Sequence, residues 1–479
     1  MASESDSQPH EIQAYLSVSK RLRSLSTYRA TGKILLHSPL IDALARTSYP
    51  PWFFYPVDKP KDILDLGFQV GQNKVDAGTI SSPNIPVILS NAKPSSFGRG
   101  SETVYDPAYR KGLEIPASEI NFPNQLKLFE DLKDFIGTQV AGKLFDKRTG
   151  TKLRLELYKL AVYEEGGHFD WHMDTTHEDD HHATVLLFLG PEWEGGDLKL
   201  KHGGFEFSQR KGIRKEKKEE SEEESEEEEA AGDLNGVMPV HLIGFYTDVE
   251  HKVEPVTKGT RIVLQFDVRV DGPGERESDS DSDDDYCEGP VDSACVTSAP
   301  LAVHRNQKAL NDVAQIIEKR LSDDDSNGVE YIGFPLRHLY RIASIRPEYL
   351  KGVDAMLYEH FSTSQEFKDK FNVKLRPIVL VEETDYEGEW TTGPFFWIFE
   401  SSKKNLKRKR GDKEPSTNNS DAEDLGIDYK KTEFHLIKGC SLELLESEEY
   451  IEYTGNEAQL GNSKYFGGAM FISMKKSFI

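Results

Sequence analysis

The stretch Tyr163-Glu164-Glu165-Gly166-Gly167-His168-Phe169-Asp170-Trp171-His172-Met173-Asp174 ends on a His-x-Asp triplet. On a β-strand, residues i and i+2 face the same side, so His172 and Asp174 can grip one ion while Met173 turns away. A third ligand from a distant strand would complete a set of two imidazoles and one carboxylate, leaving three coordination positions open. In a chain with 14 histidines the triplet alone is a weak signal, and its value depends on its surroundings.

Those surroundings are informative. Far downstream the chain reads His251-Lys252-Val253-Glu254-Pro255-Val256-Thr257-Lys258-Gly259-Thr260-Arg261. It then enters the clearest strand pattern in the sequence, Arg261–Val270, where Ile262, Leu264, Phe266 and Val268 alternate with Arg261, Val263, Gln265 and Asp267. The first set packs on the outside and the second, mostly polar, lines an interior. Two imidazoles and a carboxylate around a half-open ion are the donor set of non-haem Fe(II) oxygenases, so the chain reads as an enzyme that activates O₂.

Together these stretches resemble the catalytic domain of the Fe(II)/2-oxoglutarate-dependent oxygenase superfamily, in its prolyl 4-hydroxylase-like branch. There the patterns Y-E-x-G-x-x-F/Y-x-x-H-x-D and H-x-V-x-x-V-x-x-G-x-R/K recur. Between them, Ala183–Leu200 (ATVLLFLGPEWEGGDLKL) is similar to the branch's apolar strand followed by a W-x-GG-D/E turn. The likeness covers roughly Leu155–Val268, and Ser96–Arg110 (SFGRGSETVYDPAYR) weakly resembles the segment preceding that core.

The resemblance implies that His172, Asp174 and His251 hold Fe(II), and that Arg261 clamps the distal carboxylate of the cosubstrate 2-oxoglutarate. An arginine suits that work because its fork binds a carboxylate bidentately and stays charged. Tyr163 would offer its hydroxyl to the same carboxylate. O₂ and ascorbate follow as further requirements of the branch, and a protein side chain, with proline foremost, as its substrate. One departure is Leu198, where relatives often place a threonine that also contacts 2-oxoglutarate; one neutral hydrogen bond lost there costs about 1 kcal/mol. A tryptophan often seen beyond the basic residue is also absent. Rival readings are an oxygenase of this superfamily acting on a small molecule or nucleobase, and an inactive oxygenase fold serving as a scaffold.

Composition bounds the rest. The 479 residues allow two or three domains, while 37% hydrophobic residues imply substantial unstructured chain. With 83 acidic against 59 basic residues the net charge is −24, which argues against general nucleic-acid binding. Cys287, Cys295 and Cys440 match neither a disulfide framework nor a zinc motif. The polar, acidic start MASESDSQPHEIQ offers no signal peptide, and no apolar run reaches membrane-spanning length, so an intracellular protein is expected.

The expected fold is α+β: a double-stranded β-helix (jelly-roll) oxygenase core with flanking helices, followed by a C-terminal α+β module. Residues 1–30 form a mostly disordered lead with a helical stretch at Ala14–Leu25, and 31–270 the oxygenase domain, its barrel within about 120–270. Asn124–Phe145 is an amphipathic helix through Leu126, Phe129, Leu132, Phe135 and Ile136. Strands follow at Leu153–Tyr163, Phe169–Asp174, Ala183–Leu189, Gly196–Lys201, His241–Thr247 and Arg261–Val270. An acidic insertion at 209–233 and an acidic linker at 271–302 cannot bury enough apolar surface to order themselves. The module at 303–479 carries helices at Gln307–Leu321 and Pro347–Phe371, four strands, and a basic-to-polar loop at 403–424. Its aromatic run Phe395–Phe399 reads as a buried strand. His177, His181 and His182 gather with Asp179 and Asp180, and read as a solvated loop at the mouth of the site.

Overall fold

Ten strands run between residues 152 and 271, and seven of them pass back and forth between two sheets. Lys152–Tyr163, His181–Leu189, Val240–Tyr246 and Arg261–Asp271 belong to a seven-stranded sheet, all paired antiparallel. The strands between them, His168–His172, Leu198–His202 and Glu250–Val253, belong to a five-stranded sheet facing it. Successive strands alternating between two antiparallel sheets make the jelly roll expected from the sequence.

The structure is a computed structural model. It describes residues 26–49, 51–145, 152–209, 240–271, 299–384, 395–400, 427–448 and 461–475, short gaps within these spans excepted. The chain divides into two compact units, one of residues 50–99 and 103–299, the other of 1–49, 100–102 and 300–479.

In the first unit, helix Leu126–Lys143 covers the outer face of the larger sheet. Leu132, Ile136 and Val140 are buried, and Phe129 stacks on Phe266 with ring centroids 6.5 Å apart. Leu126, expected on the apolar stripe, is 67% exposed because it is the first helical residue and lies beyond the packed face. The alternation in Arg261–Asp271 sorts as expected, with Phe266 toward the helix and Arg261, Val263 and Gln265 toward a cavity between the sheets. His181 and His182 depart from expectation: both are buried at the start of strand His181–Leu189, not on a solvated loop. Asp180 beside them is tied to Arg269 at 2.7 Å, while His177 and Asp179 lie outside the described residues.

The second unit is built on a sheet in the order Ser26–Ala30, Phe395–Glu400, Phe371–Thr384, Gly461–Met474, Tyr331–Pro335, Thr432–His435 and Lys33–Leu35. The N-terminal residues are the main difference from expectation. Ser26–Ala30 pairs antiparallel with Phe395–Glu400, and Lys33–Leu35 lies parallel to Thr432–His435. Helix Pro39–Ala45 buries Leu40, Ala43 and Leu44, and Asn306 bonds both backbone groups of Ser48. Residues 33–49 thus pair a strand and bury Leu40, Ala43, Leu44 and Tyr49 in this unit. The first helix after the oxygenase core starts at Ala299, inside the expected linker, and buries Leu310, Val313, Ala314 and Ile317 at helical spacing. The expected helix at Pro347–Phe371 is shorter, Gly352–Ser362, and Phe371 opens a strand. Phe395–Glu400 is a strand, as expected. The Ala14–Leu25 stretch, the acidic insertion beyond Gln209, most of the 271–302 linker and the 403–424 loop lie outside the described residues.

Glu433 is a buried charge in this second unit. Burial alone would raise its pKa, but hydrogen bonds from His435 and Arg320 outweigh that and hold it at about 2, against the ordinary 4.5. A carboxylate with a depressed pKa contributes stability above its unfolded value and loses it as pH falls toward the folded one. Glu433→Gln should therefore destabilise this unit by about 3 kcal/mol at pH 7. The difference from wild type should shrink between pH 4.5 and about 2, as read from denaturant melts at each pH.

Candidate metal centre and its cavity

Strand pairing brings the distant histidine to the triplet. His251 on Glu250–Val253 stands directly opposite His172 on His168–His172, with ring centroids 4.0 Å apart. Asp174 lies just past the end of that strand, and its Oδ1 is 3.7 Å from His251 Nε2. One ligand atom each from His172, Asp174 and His251 fall within 4.8 Å of one another, so the three can share one ion. Met173 is 49% exposed, as strand alternation requires.

Each ligand candidate is held by its own backbone or a neighbour. His172 Nδ1 donates to the Asp170 carbonyl at 2.7 Å, and His251 Nδ1 donates to the Val249 carbonyl at 3.0 Å. Both rings thereby keep the Nε2 lone pair free to bind a metal. Burial, reinforced by His251 alongside, pushes the His172 pKa well below 6.5, so the imidazole is neutral at physiological pH. Burial opposes ionisation of Asp174, yet the two histidines and a hydrogen bond from Thr184 outweigh it and lower its pKa.

Thr184, on His181–Leu189, donates its hydroxyl to Asp174 Oδ2 at 2.6 Å and leaves Oδ1 facing His251. The sequence reading missed it, because nothing in a strand threonine marks it as a carboxylate's partner ten positions away. Thr184→Val preserves shape and removes that bond. It should weaken divalent metal binding about 10- to 100-fold, measured by titrating Mn(II) into the apoprotein.

Arg261 faces the same cavity. It is 1% exposed, and its Nε and one terminal nitrogen have no protein partner. Its guanidinium carbon lies 4.7 Å from the Phe188 ring and 5.3 Å from that of Tyr163, which stands opposite it across the sheet. Burial pushes its pKa down to about 10, partly offset by Tyr163 and Asp197, which leaves it charged at neutral pH. Gly196, in the left-handed region at φ +66°, closes the pocket: a Cβ there would sit 2.9 Å from Val256 Cγ2 and 3.2 Å from Arg261 Cδ. Leu198 is buried and lines the cavity at the place discussed for a threonine.

All five residues singled out by sequence (His172, Asp174, His251, Arg261 and Tyr163) line this one cavity. Two further charged residues line it that sequence reasoning passed over, Arg110 and Lys159. Lys159 had a readable signal, since it shares strand parity with Ala161 and Tyr163. Arg110 had none, because its two-residue strand Arg110–Lys111 is defined by pairing with His168 and Phe169. His168 is turned elsewhere, its ring nitrogens 3.0 and 3.1 Å from the carbonyl oxygens of Gly166 and Ala108.

Residues 158–267 match the family model described as the 2OG-Fe(II) oxygenase superfamily. No curated protein matches the sequence. Among solved structures, the chain is similar to a Pseudomonas putida prolyl-4-hydroxylase at 16% identity and TM-score 0.27, covering 49% of this chain and 98% of that one. A prolyl hydroxylase from Trichoplax adhaerens, solved with a hypoxia inducible factor oxygen degradation domain peptide, gives 12% identity, TM-score 0.26, and coverage of 54% and 90%. A Burkholderia pseudomallei oxidoreductase of the 2OG-Fe(II) oxygenase family gives 12%, 0.23, and coverage of 50% and 95%. Among the described residues no helix is long and apolar enough to cross a membrane. The stretch from 158 to 267, which carries the ligand candidates and Arg261, is thus where the chain is similar to the 2OG-Fe(II) oxygenase superfamily.

Proposed function

We propose that this chain is an Fe(II)- and 2-oxoglutarate-dependent dioxygenase that hydroxylates a protein side chain, with proline the leading target. His172, Asp174 and His251 would hold the iron. Arg261, assisted by the Tyr163 hydroxyl, would hold the distal carboxylate of 2-oxoglutarate. The observation that carries this reading is the buried Arg261 guanidinium, which has nitrogens without a protein partner in the cavity that the triad lines. An ion buried without a counter-ion costs several kcal/mol, a cost that an incoming carboxylate offsets. The donor set fits as well: two imidazoles and a carboxylate suit Fe(II) and leave positions open.

When bound, iron and 2-oxoglutarate supply the family's chemistry, in which O₂ is consumed, 2-oxoglutarate becomes succinate and CO₂, and one oxygen atom enters a C–H bond. The chain's own part is positional. Asp170 and Val249 carbonyls fix the two imidazoles by accepting their Nδ1 protons, and Thr184 fixes the carboxylate. Arg261 and Tyr163 anchor the cosubstrate's far end. The apolar wall of Leu186, Leu198, Val253 and Val263 keeps water from the reacting centre.

Proline as the target rests on the Y-E-x-G and H-x-V motifs, and ascorbate would keep the metal ferrous on the same ground. The test is turnover of 2-oxoglutarate to succinate without added substrate, with Arg261→Ala as control, followed by mass spectrometry of candidate protein targets. A gain of one oxygen on proline supports the reading. A gain only on small molecules or nucleobases replaces the substrate assignment, and no turnover under any condition removes the enzyme assignment.

A further inference from the structure

The cavity has a second cationic group that the reading above does not use. Arg110 is 5% exposed, and it and Lys159 both line the cavity. Both reach one carboxylate: Arg110 Nη2 and Lys159 Nζ each lie 3.2 Å from Glu114 Oε2. A single negative charge therefore serves two positive ones, and the Arg110 Nε is buried without a partner. Burial, together with Arg110 nearby, lowers the Lys159 pKa against the opposing pull of Glu114 and Asp174.

The pair's place is at the metal end. The Arg110 guanidinium carbon lies 4.5 Å from the centroid of the Phe169 ring, and Phe169 stacks on His172 at 3.4 Å. Arg261 marks the other end. Lys159 stands opposite Gln265 and Tyr163 opposite Arg261, with the apolar rung Ala161–Val263 between them. Four residues of strand separate the two ends by about 13 Å, a span that two long basic side chains can narrow. Positive ends with an apolar middle suit a short aliphatic dicarboxylate. The charges agree: Arg110, Lys159 and Arg261 line the cavity against the single carboxylate of Asp174, so a bound divalent metal would leave it strongly positive.

We propose that Arg110, Glu114 and Lys159 form a second carboxylate subsite, which receives the carboxylate of 2-oxoglutarate adjoining the keto group. The inference rests on the proposed 2-oxoglutarate cavity and adds a protein counter-charge to an end otherwise bound through the metal. Glu114 competes with the ligand for both cations and so tempers its affinity.

That competition gives a test by sign. Calorimetric titration of 2-oxoglutarate into the full Mn(II)-loaded chain should show weaker binding for Lys159→Gln, by about tenfold, the loss of one charge-assisted hydrogen bond. Glu114→Gln should bind it more tightly, by about threefold or more, since the freed cations then face the ligand alone. Levulinate, which keeps the keto group and the distal carboxylate but lacks the carboxylate in question, should respond to neither change. Weaker binding to Glu114→Gln, or shifts under about twofold in both variants, would overturn the subsite while wild-type binding upholds the cavity's assignment. A wild-type chain that binds no 2-oxoglutarate would overturn both. If Lys159→Gln does not fold, the sign of the Glu114→Gln effect decides alone.

Discussion

Arg261→Met is expected to stabilise the ligand-free protein and to destroy its response to 2-oxoglutarate. The two effects have one cause. Arg261 is fully buried, has partnerless nitrogens and is pushed down to about 10 by burial, so the protein itself only partly compensates its charge. Replacing such a charge with an apolar side chain of similar length commonly stabilises, here by about 1–3 kcal/mol after allowing for lost contact with the Phe188 and Tyr163 rings. Binding moves the other way. Two charge-assisted hydrogen bonds to a carboxylate are worth about 3–4 kcal/mol together, a loss of several hundredfold in affinity. Thermal melts with and without 2-oxoglutarate check both halves. A variant that melts lower than wild type yet is stabilised normally by 2-oxoglutarate would show that Arg261 is a structural cation and not a carboxylate anchor.

Asp174→Ala is the second large effect. It removes the only carboxylate among the three ligand candidates and leaves His172 and His251, two imidazole rings 4.0 Å apart, to hold the metal alone. A divalent ion in a buried site without an anionic ligand loses its main counter-charge, so affinity should fall by about 1,000-fold or more. The fold should survive, because Asp174 lies beyond the strand end and its one hydroxyl partner, Thr184, belongs to a strand paired on both sides. Mn(II) titration followed by its resonance spectrum reads the metal, and far-ultraviolet dichroism reads the fold. Tight one-to-one binding retained by Asp174→Ala would place the ion elsewhere.

How much of this was readable in advance depends on the range of the interaction. Period-two alternation is local, so Arg261–Asp271 and the strand before Tyr163 were legible to within one or two residues. The triad was legible because three unusual residues stood in recognisable flanks. Partner choice is not local. Nothing around Lys33–Leu35 says that it joins a strand some 400 positions away, and its place in the second unit follows only from the paired backbone. His181 and His182 sit next to acidic residues that suggest a loop. Arg154 and Arg269, from two strands of the sheet that His181 enters, pair with Asp180 just before it. Thr184, Arg110 and Glu114 escaped for a similar reason: each is an ordinary residue that acquires its role from a partner supplied by another strand. The left-handed glycine at 196 lies between, visible as a Gly-Gly turn, with its closeness to Arg261 visible only in space.

The decisive measurement looks for a ferrous ion shared by His172, Asp174 and His251 next to a bound keto acid. Anaerobic addition of Fe(II) and then 2-oxoglutarate to the full chain should produce the weak visible charge-transfer band of a chelated keto acid. His172→Ala should abolish it, and Arg261→Met should demand far more 2-oxoglutarate to raise it. A wild-type protein that shows no band, or a band of full strength in His172→Ala, would contradict that shared site.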